Sequence, residues 1–156
     1  MCIRDRPNTA VAVGEGVTMY CCSDNVTEAQ RESFVSLLHC SGLLEELEEK
    51  LMDAGSAVAG CGGAFAYLFL EGLADGAVYA GLPRAKAQRY AAQMLLGAAK
   101  LALASDDHTG ALKDAVCSPG GTTIAGVRAL EEHGFRAAAM DAVIAAYERT
   151  KELAGD

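Results

Sequence analysis

The run Lys113-Asp114-Ala115-Val116-Cys117-Ser118-Pro119-Gly120-Gly121-Thr122-Thr123-Ile124-Ala125-Gly126 is where this sequence most suggests chemistry. Pro119 lacks an N–H and stops a preceding helix. Gly120-Gly121 opens backbone conformations closed to other residues. Thr122 and Thr123 then begin a helix whose first amides have no internal partner. Such a bend offers an anion free N–H groups, a positive helix end and no Cβ to block approach. A group the size of a carboxylate suits it. The Lys of a Walker A loop and the GxGxxG spacing of a dinucleotide loop are both missing, so phosphate fits less well. A capped junction between two helices, with no ligand, explains the same residues equally well.

The other reactive side chains are scattered. Cys2, Cys21, Cys22, Cys40, Cys61 and Cys117 form no CxxC pair, and His39, His108 and His133 lie far apart. Zinc needs clustered ligands, so no metal is expected. The thiols are expected to be buried and reduced, in a cytoplasmic protein. Cys61 sits at a helix start, where thiolates are stabilised. No partnering base is visible, which favours a small polar packing residue over a nucleophile.

The elements that hold these residues change character along the chain. Val11, Val13, Val17, Thr18 and Tyr20, around Gly14 and Gly16, predict one or two strands with a turn or bulge at the glycines. Thr27 is placed to cap a helix with Glu28 and Glu32 in its first turns, an apolar side of Phe34, Val35, Leu37 and Leu38, and an end at Ser41-Gly42. Leu43 to Leu47 follows as a short strand. This strand–helix–strand order is that of the tail of an α/β sheet. From Lys50 onward the pattern is helical. Predicted helices cover 53–59 and 62–80, with Gly72 and Gly76 on one face to permit a close crossing. Pro83 suits the first turn of the next, whose stripe of Ala87, Ala91, Met94, Ala98 and Leu101 runs to about Ser105. Leu112 to Cys117 is a short helix. Ile124, Val127 and Leu130 mark another, closed by His133-Gly134, and Phe135 to Leu153 form the last.

Composition sets the class. Of 156 residues 51% are hydrophobic and 22% charged, 30 are Ala, and Trp is absent. Ala-rich, aromatic-poor chains suit closely packed helices. The net charge of −8 argues against nucleic acid or an anionic membrane surface. Ala54 to Leu70 is uncharged but shorter than the ~20 residues of a membrane span and interrupted by glycines; it reads as a buried core helix. The first residues hold no signal-peptide core. Apolar small residues cover more than one side of most helices, which favours an obligate dimer with interleaved helices over a monomer with one large core.

Asp114 to Gly126 closely resembles the signature of pyrroline-5-carboxylate reductases, and further segments follow in that family's order. Pro7-Asn8-Thr9 with Val13-Gly14-Glu15-Gly16-Val17-Thr18 resembles its PNTP…GEG segment. Ala59-Gly60-Cys61-Gly62-Gly63-Ala64-Phe65 resembles SGSGPAY. Glu71 to Gly76, Gly81-Leu82-Pro83 and Leu96 to Lys100 also match. Departures are Cys61 for the usual Ser, Gly63 for a Pro, and Ala10 for the proline of PNTP.

The resemblance implies a mainly α chain: residues 1–48 as the end of an NAD(P)-binding Rossmann domain, with 1–5 non-native, and 49–156 as a helical dimerisation and substrate-binding domain. Most of the nucleotide domain, with its glycine fingerprint, would be missing, and the chain alone inactive. It further implies hydride transfer from NADPH or NADH to the imine of 1-pyrroline-5-carboxylate, giving L-proline, in a homodimer or larger ring. Ser118, Gly120, Gly121, Thr122 and Thr123 would bind substrate, the amides of Gly121, Thr122 and Thr123 holding its carboxylate and the Thr123 hydroxyl its ring nitrogen. Asn8, Cys61 and Gly62 would line the nicotinamide side. One subunit's turn could serve the other's cofactor. Alternatives are a related imine or 3-hydroxyacid reductase, or a non-catalytic helical dimerisation module.

Overall fold

A computed structural model describes residues 3–155. They divide into two compact units: Ala66–Ala139 is one, and the residues on either side, 3–65 and 140–155, are the other.

In the first unit β1 (Ile3–Pro7), β2 (Gly16–Cys22) and β3 (Gly42–Glu46) form one sheet in the order β1-β2-β3. β1 runs antiparallel to β2, and β2 parallel to β3, with α1 (Glu28–Leu38) as the crossover a parallel pair requires. Thr27 caps α1 as expected. The reciprocal partner is Gln30, whose side chain returns to the Thr27 amide at 2.9 Å to close a capping box. Tyr20 of β2 packs on Phe34 at 5.1 Å between ring centres. Leu37 does not join them: it is 77% exposed. The core lies between β2 and α2 (Met52–Ala59), with Thr18, Met19, Tyr20, Met52 and Ala57 buried.

Two sequence expectations are corrected here. Residues 9–13 form a 3-10 turn rather than a strand, ending at Gly14 in the left-handed region (φ 73°), so only 16–22 pair in the sheet. A strand also forms at Ile3–Pro7, where none is expected from the sequence; Met1 and Cys2 lie outside the described residues.

The remaining helices are α3 (Gly62–Tyr79), α4 (Arg84–Ala104), α5 (Thr109–Ala115), α6 (Thr122–Glu132) and α7 (Phe135–Ala154). Pro83 precedes α4 as its cap residue rather than entering its first turn. α5 begins three residues before the expected start because the His108 imidazole accepts the Gly110 amide, at 3.0 Å. Within Ala66–Ala139 the buried residues are Ala74, Ala87 and Ala91, three alanines that bury little area, while Tyr67, Leu68, Tyr90, Leu101 and Leu103 are exposed and Tyr79 is 96% so.

The buried core helix expected over 54–70 is therefore not found. Glu49–Tyr79 is long and apolar enough to cross a membrane by length and composition, but the helix breaks at Gly60-Cys61 and this chain leaves most of it uncovered. Gly72 and Gly76 meet no atom within 4 Å of where a side chain would stand. The thiols are corrected likewise. Cys21, Cys22, Cys61 and Cys117 are half-buried and Cys40 is exposed, all free; Cys2 is outside the described residues.

Candidate functional site

The expected site residues fall into two groups, one in each compact unit. In Ala66–Ala139, α5 ends at Ala115, and the backbone turns back through Val116-N to the Lys113 carbonyl and Cys117-N to the Asp114 carbonyl. Ser118-Pro119-Gly120-Gly121 is a type II β-turn. Pro119 supplies its second position, Gly120 stands at φ +67° in the third, and the Gly121 amide donates to the Ser118 carbonyl at 3.0 Å. α6 starts at the next residue.

That hydrogen bond revises the donor set. The Gly121 amide, expected to face a ligand, closes the turn instead, and Gly121 has an ordinary φ of −77°. Space at Gly121 is tight: a Cβ there would stand 2.3 Å from Ser118 Oγ and 3.1 Å from the Ser118 carbonyl oxygen. The first α6 amide to reach a backbone acceptor is that of Ala125, bonding to the Gly121 carbonyl at 3.4 Å. Thr122, Thr123 and Ile124 thus present three amides, and Thr123 a hydroxyl, with no hydrogen-bond partner among the described residues. All three are exposed. They sit at the positive end of an 11-residue helix, so the geometry can take one small anion. The cations on either side in sequence are engaged: the Arg128 guanidinium bonds the Glu132 carboxylate, and the Lys113 ammonium bonds the Asp114 carboxylate, which raises the pKa of Lys113.

In the first unit Asn8 lies beneath the α2–α3 corner. Its Oδ1 accepts the Val17 amide at 3.2 Å, and its Nδ2 donates to the Ala59 carbonyl at 3.1 Å. Gly60-N keeps the ordinary helical bond to the Ser56 carbonyl at 2.9 Å, and the helix stops where Cys61-N shares that same carbonyl at 3.2 Å instead of taking the next one. Ala64-N bonds the Cys61 carbonyl at 3.0 Å and restarts helix as α3. Gly62 and Gly63 meet nothing within 4 Å on their side-chain side, so a flat or anionic group can approach the first amides of α3 closely. The structure brings Asn8 to the carbonyl just ahead of the Cys61-Gly62 corner, and among the described residues no base bonds the Cys61 thiol.

One charged cluster was not legible in the sequence. The Cys21 thiol donates to Glu49 Oε2 at 2.5 Å, and the same carboxylate bonds the Arg4 guanidinium, which reaches Asp53 at 3.3 Å. The Glu49 carboxylate and burial push the Cys21 thiol above the usual thiol range; the Cys21 and Arg4 hydrogen bonds hold Glu49 below the usual carboxylate range. Residues 28 positions apart meet because β2 and the start of α2 pack together, which periodicity does not report. Among the described residues no three His, Cys, Asp or Glu side chains form a metal-holding group.

A family profile described as pyrroline-5-carboxylate reductase dimerisation matches residues 49–153. Pyrroline-5-carboxylate reductase of Synechocystis is 47% identical over 97% of this chain, which spans 57% of that protein; the enzyme of that name from Escherichia coli is 42% identical over 97% of the chain and 56% of its own length. In shape the chain is similar to a Plasmodium falciparum pyrroline carboxylate reductase solved with NADP bound, at TM-score 0.89 and 37% identity, over 96% of this chain and 62% of that one. The chain thus spans a little over half the length of the curated relatives it matches.

Proposed function

The chain belongs to the pyrroline-5-carboxylate reductase family, and from that premise we propose that, joined to a nucleotide-binding half, it reduces the C=N bond of 1-pyrroline-5-carboxylate to give L-proline. The observation that carries this reading is the turn ahead of α6, with three amides in a row and the Thr123 hydroxyl unpartnered among the described residues.

The chemistry asks for little from side chains. The substrate carboxylate sits on the amides of Thr122, Thr123 and Ile124, with Ser118, Gly120 and Gly121 shaping the turn beneath it. The Thr123 hydroxyl oxygen accepts the N–H of the protonated ring nitrogen and so keeps the imine cationic, which leaves its carbon electron-poor. NADPH or NADH, when bound, supplies the hydride that this carbon takes up, and the ring nitrogen becomes an amine. Gly62 and Cys61 at the α3 corner leave the room such a cofactor needs. The chain's contribution is orientation of the ring and stabilisation of its charge.

The start of the family match at residue 49 supports a boundary there, with 1–48 as the end of the nucleotide domain and 49–156 as the dimerisation and substrate domain. The exposed apolar side chains of α3 and α4, together with the match to a dimerisation domain, support a homodimer that covers them, with no membrane or nucleic acid as partner. Five free cysteines support a reducing, cytoplasmic setting.

The test is turnover. The chain is joined to the nucleotide-binding half of a relative, and NADPH oxidation is followed with pyrroline-5-carboxylate present. The joined protein should turn over and the 156 residues alone should not. Turnover by the chain alone overturns the reading, as does a folded joined protein that reduces other imines or oxoacids but not this one.

A further inference from the structure

The first-unit corner carries one more step. Asn8 occupies the cap position of the 3-10 turn over Thr9–Val13, where an Asn side chain ordinarily accepts a local amide. Here it makes no cap bond. Its oxygen instead fastens β2 through Val17-N, and its nitrogen crosses 51 positions of sequence to the Ala59 carbonyl. Ala59 is the last residue of α2, and helix-terminal carbonyls have no intrahelical partner. Asn8 therefore supplies the N–H donor that a continuing helix would have supplied, at the residue where α2 stops and the chain turns into Gly60-Cys61-Gly62-Gly63.

We infer that Asn8 is a positioning residue for the nicotinamide end of the dinucleotide, acting through the Ala59 carbonyl to fix the Gly60–Gly63 corner rather than touching the cofactor. Each end of its side-chain amide already holds a protein partner, at 3.2 and 3.1 Å, while the open space lies beside Gly62 and Gly63. Loss of the Ala59 bond leaves that carbonyl without its partner and lets the corner reorient, and with it the first amides of α3.

This inference rests on the reductase reading for its cofactor, and its test separates the two. In the joined protein, amide hydrogen exchange and binding of NADPH and of L-proline are measured for wild type, Asn8→Ala and Asn8→Asp. Asp keeps an acceptor for Val17-N but cannot donate to the Ala59 carbonyl. Expected are faster exchange at Gly60–Gly63 in both variants, faster exchange at Val17 in Asn8→Ala alone, and NADPH binding weakened about tenfold in both with L-proline binding within about twofold, as for one lost hydrogen bond. Weaker NADPH binding with unchanged exchange at Gly60–Gly63 would mean direct contact and overturns the inference. Faster exchange with unchanged NADPH binding would mean a purely structural bond and overturns it too. If Asn8→Ala does not fold, Asn8→Asp decides by the same readings. A joined protein that binds NADPH but reduces no imine removes the reductase reading and leaves these outcomes intact.

Discussion

Replacing Gly120 by alanine turns the geometry of the 118–121 turn into a question of sign. At φ +67° an L-residue bears a conformational cost of about 1–2 kcal/mol. Against it stands the entropy that alanine removes from the unfolded chain, worth about 0.4–1 kcal/mol. No atom lies within 4 Å of the position its Cβ would take, so no clash enters the sum. The net is a loss of about 1 kcal/mol, or a Tm lower by about 2–4 °C for a chain of this size. Gly120→Asn should lose less, since Asn tolerates the left-handed region, and Gly120→Val more. Gly121→Ala differs in kind: its φ is ordinary, but its Cβ would stand 2.3 Å from Ser118 Oγ. Adding Ser118→Ala should recover part of that loss, a coupling that Gly120→Ala with Ser118→Ala should not show. Thermal unfolding followed by circular dichroism measures all of these. A Gly120→Ala protein more stable than the parent would refute the reasoning, because that gain is what a negative φ would give.

Four further outcomes follow from the same structure. Thr123→Ala in the joined protein should lower kcat/KM on the order of tenfold or more, while Thr123→Ser retains most of it; steady-state kinetics on pyrroline-5-carboxylate decides. Met52→Ala should cost about 2–5 kcal/mol, since Met52 is fully buried between α2 and the sheet, and a Tm within about 2 °C of the parent would contradict that packing. Cys21 should react with iodoacetamide more slowly than exposed Cys40, with Glu49→Gln raising the Cys21 rate. The raised thiol contributes stability below the ordinary thiol range, lost as pH rises through its folded value. The lowered Glu49 carboxyl contributes above the ordinary carboxylate range, lost as pH falls through its own. Unfolding curves across pH should show both edges soften in a Cys21→Ala, Glu49→Gln pair.

Local signals in the sequence were read well wherever local chemistry decides. Thr27, Gly42, the helix that carries Ala87 and Ala91, and the 118–121 turn all lie where propensity and capping place them, although Met94, Ala98 and Leu101 of the expected stripe are exposed. The His108 cap was missed because imidazole is not among the usual capping groups, and the 3-10 turn over Thr9–Val13 because β-branched residues read as strand. That the Gly121 amide closes the turn was not legible, because a turn closed by Gly121-N and a helix begun at that residue share the same Gly-Gly signal. Burial was the least legible. Apolar runs such as 54–70 specify that a surface must be covered, not that the same chain covers it, and Leu37 and the half-buried thiols show the same limit.

Diffraction from crystals of the joined protein grown with L-proline bears most directly on the turn. The carboxylate oxygens should lie within about 2.7–3.2 Å of the amides of Thr122, Thr123 and Ile124, with the ring nitrogen bonded to the Thr123 hydroxyl. Proline bound elsewhere, with those three amides facing solvent, would contradict the account.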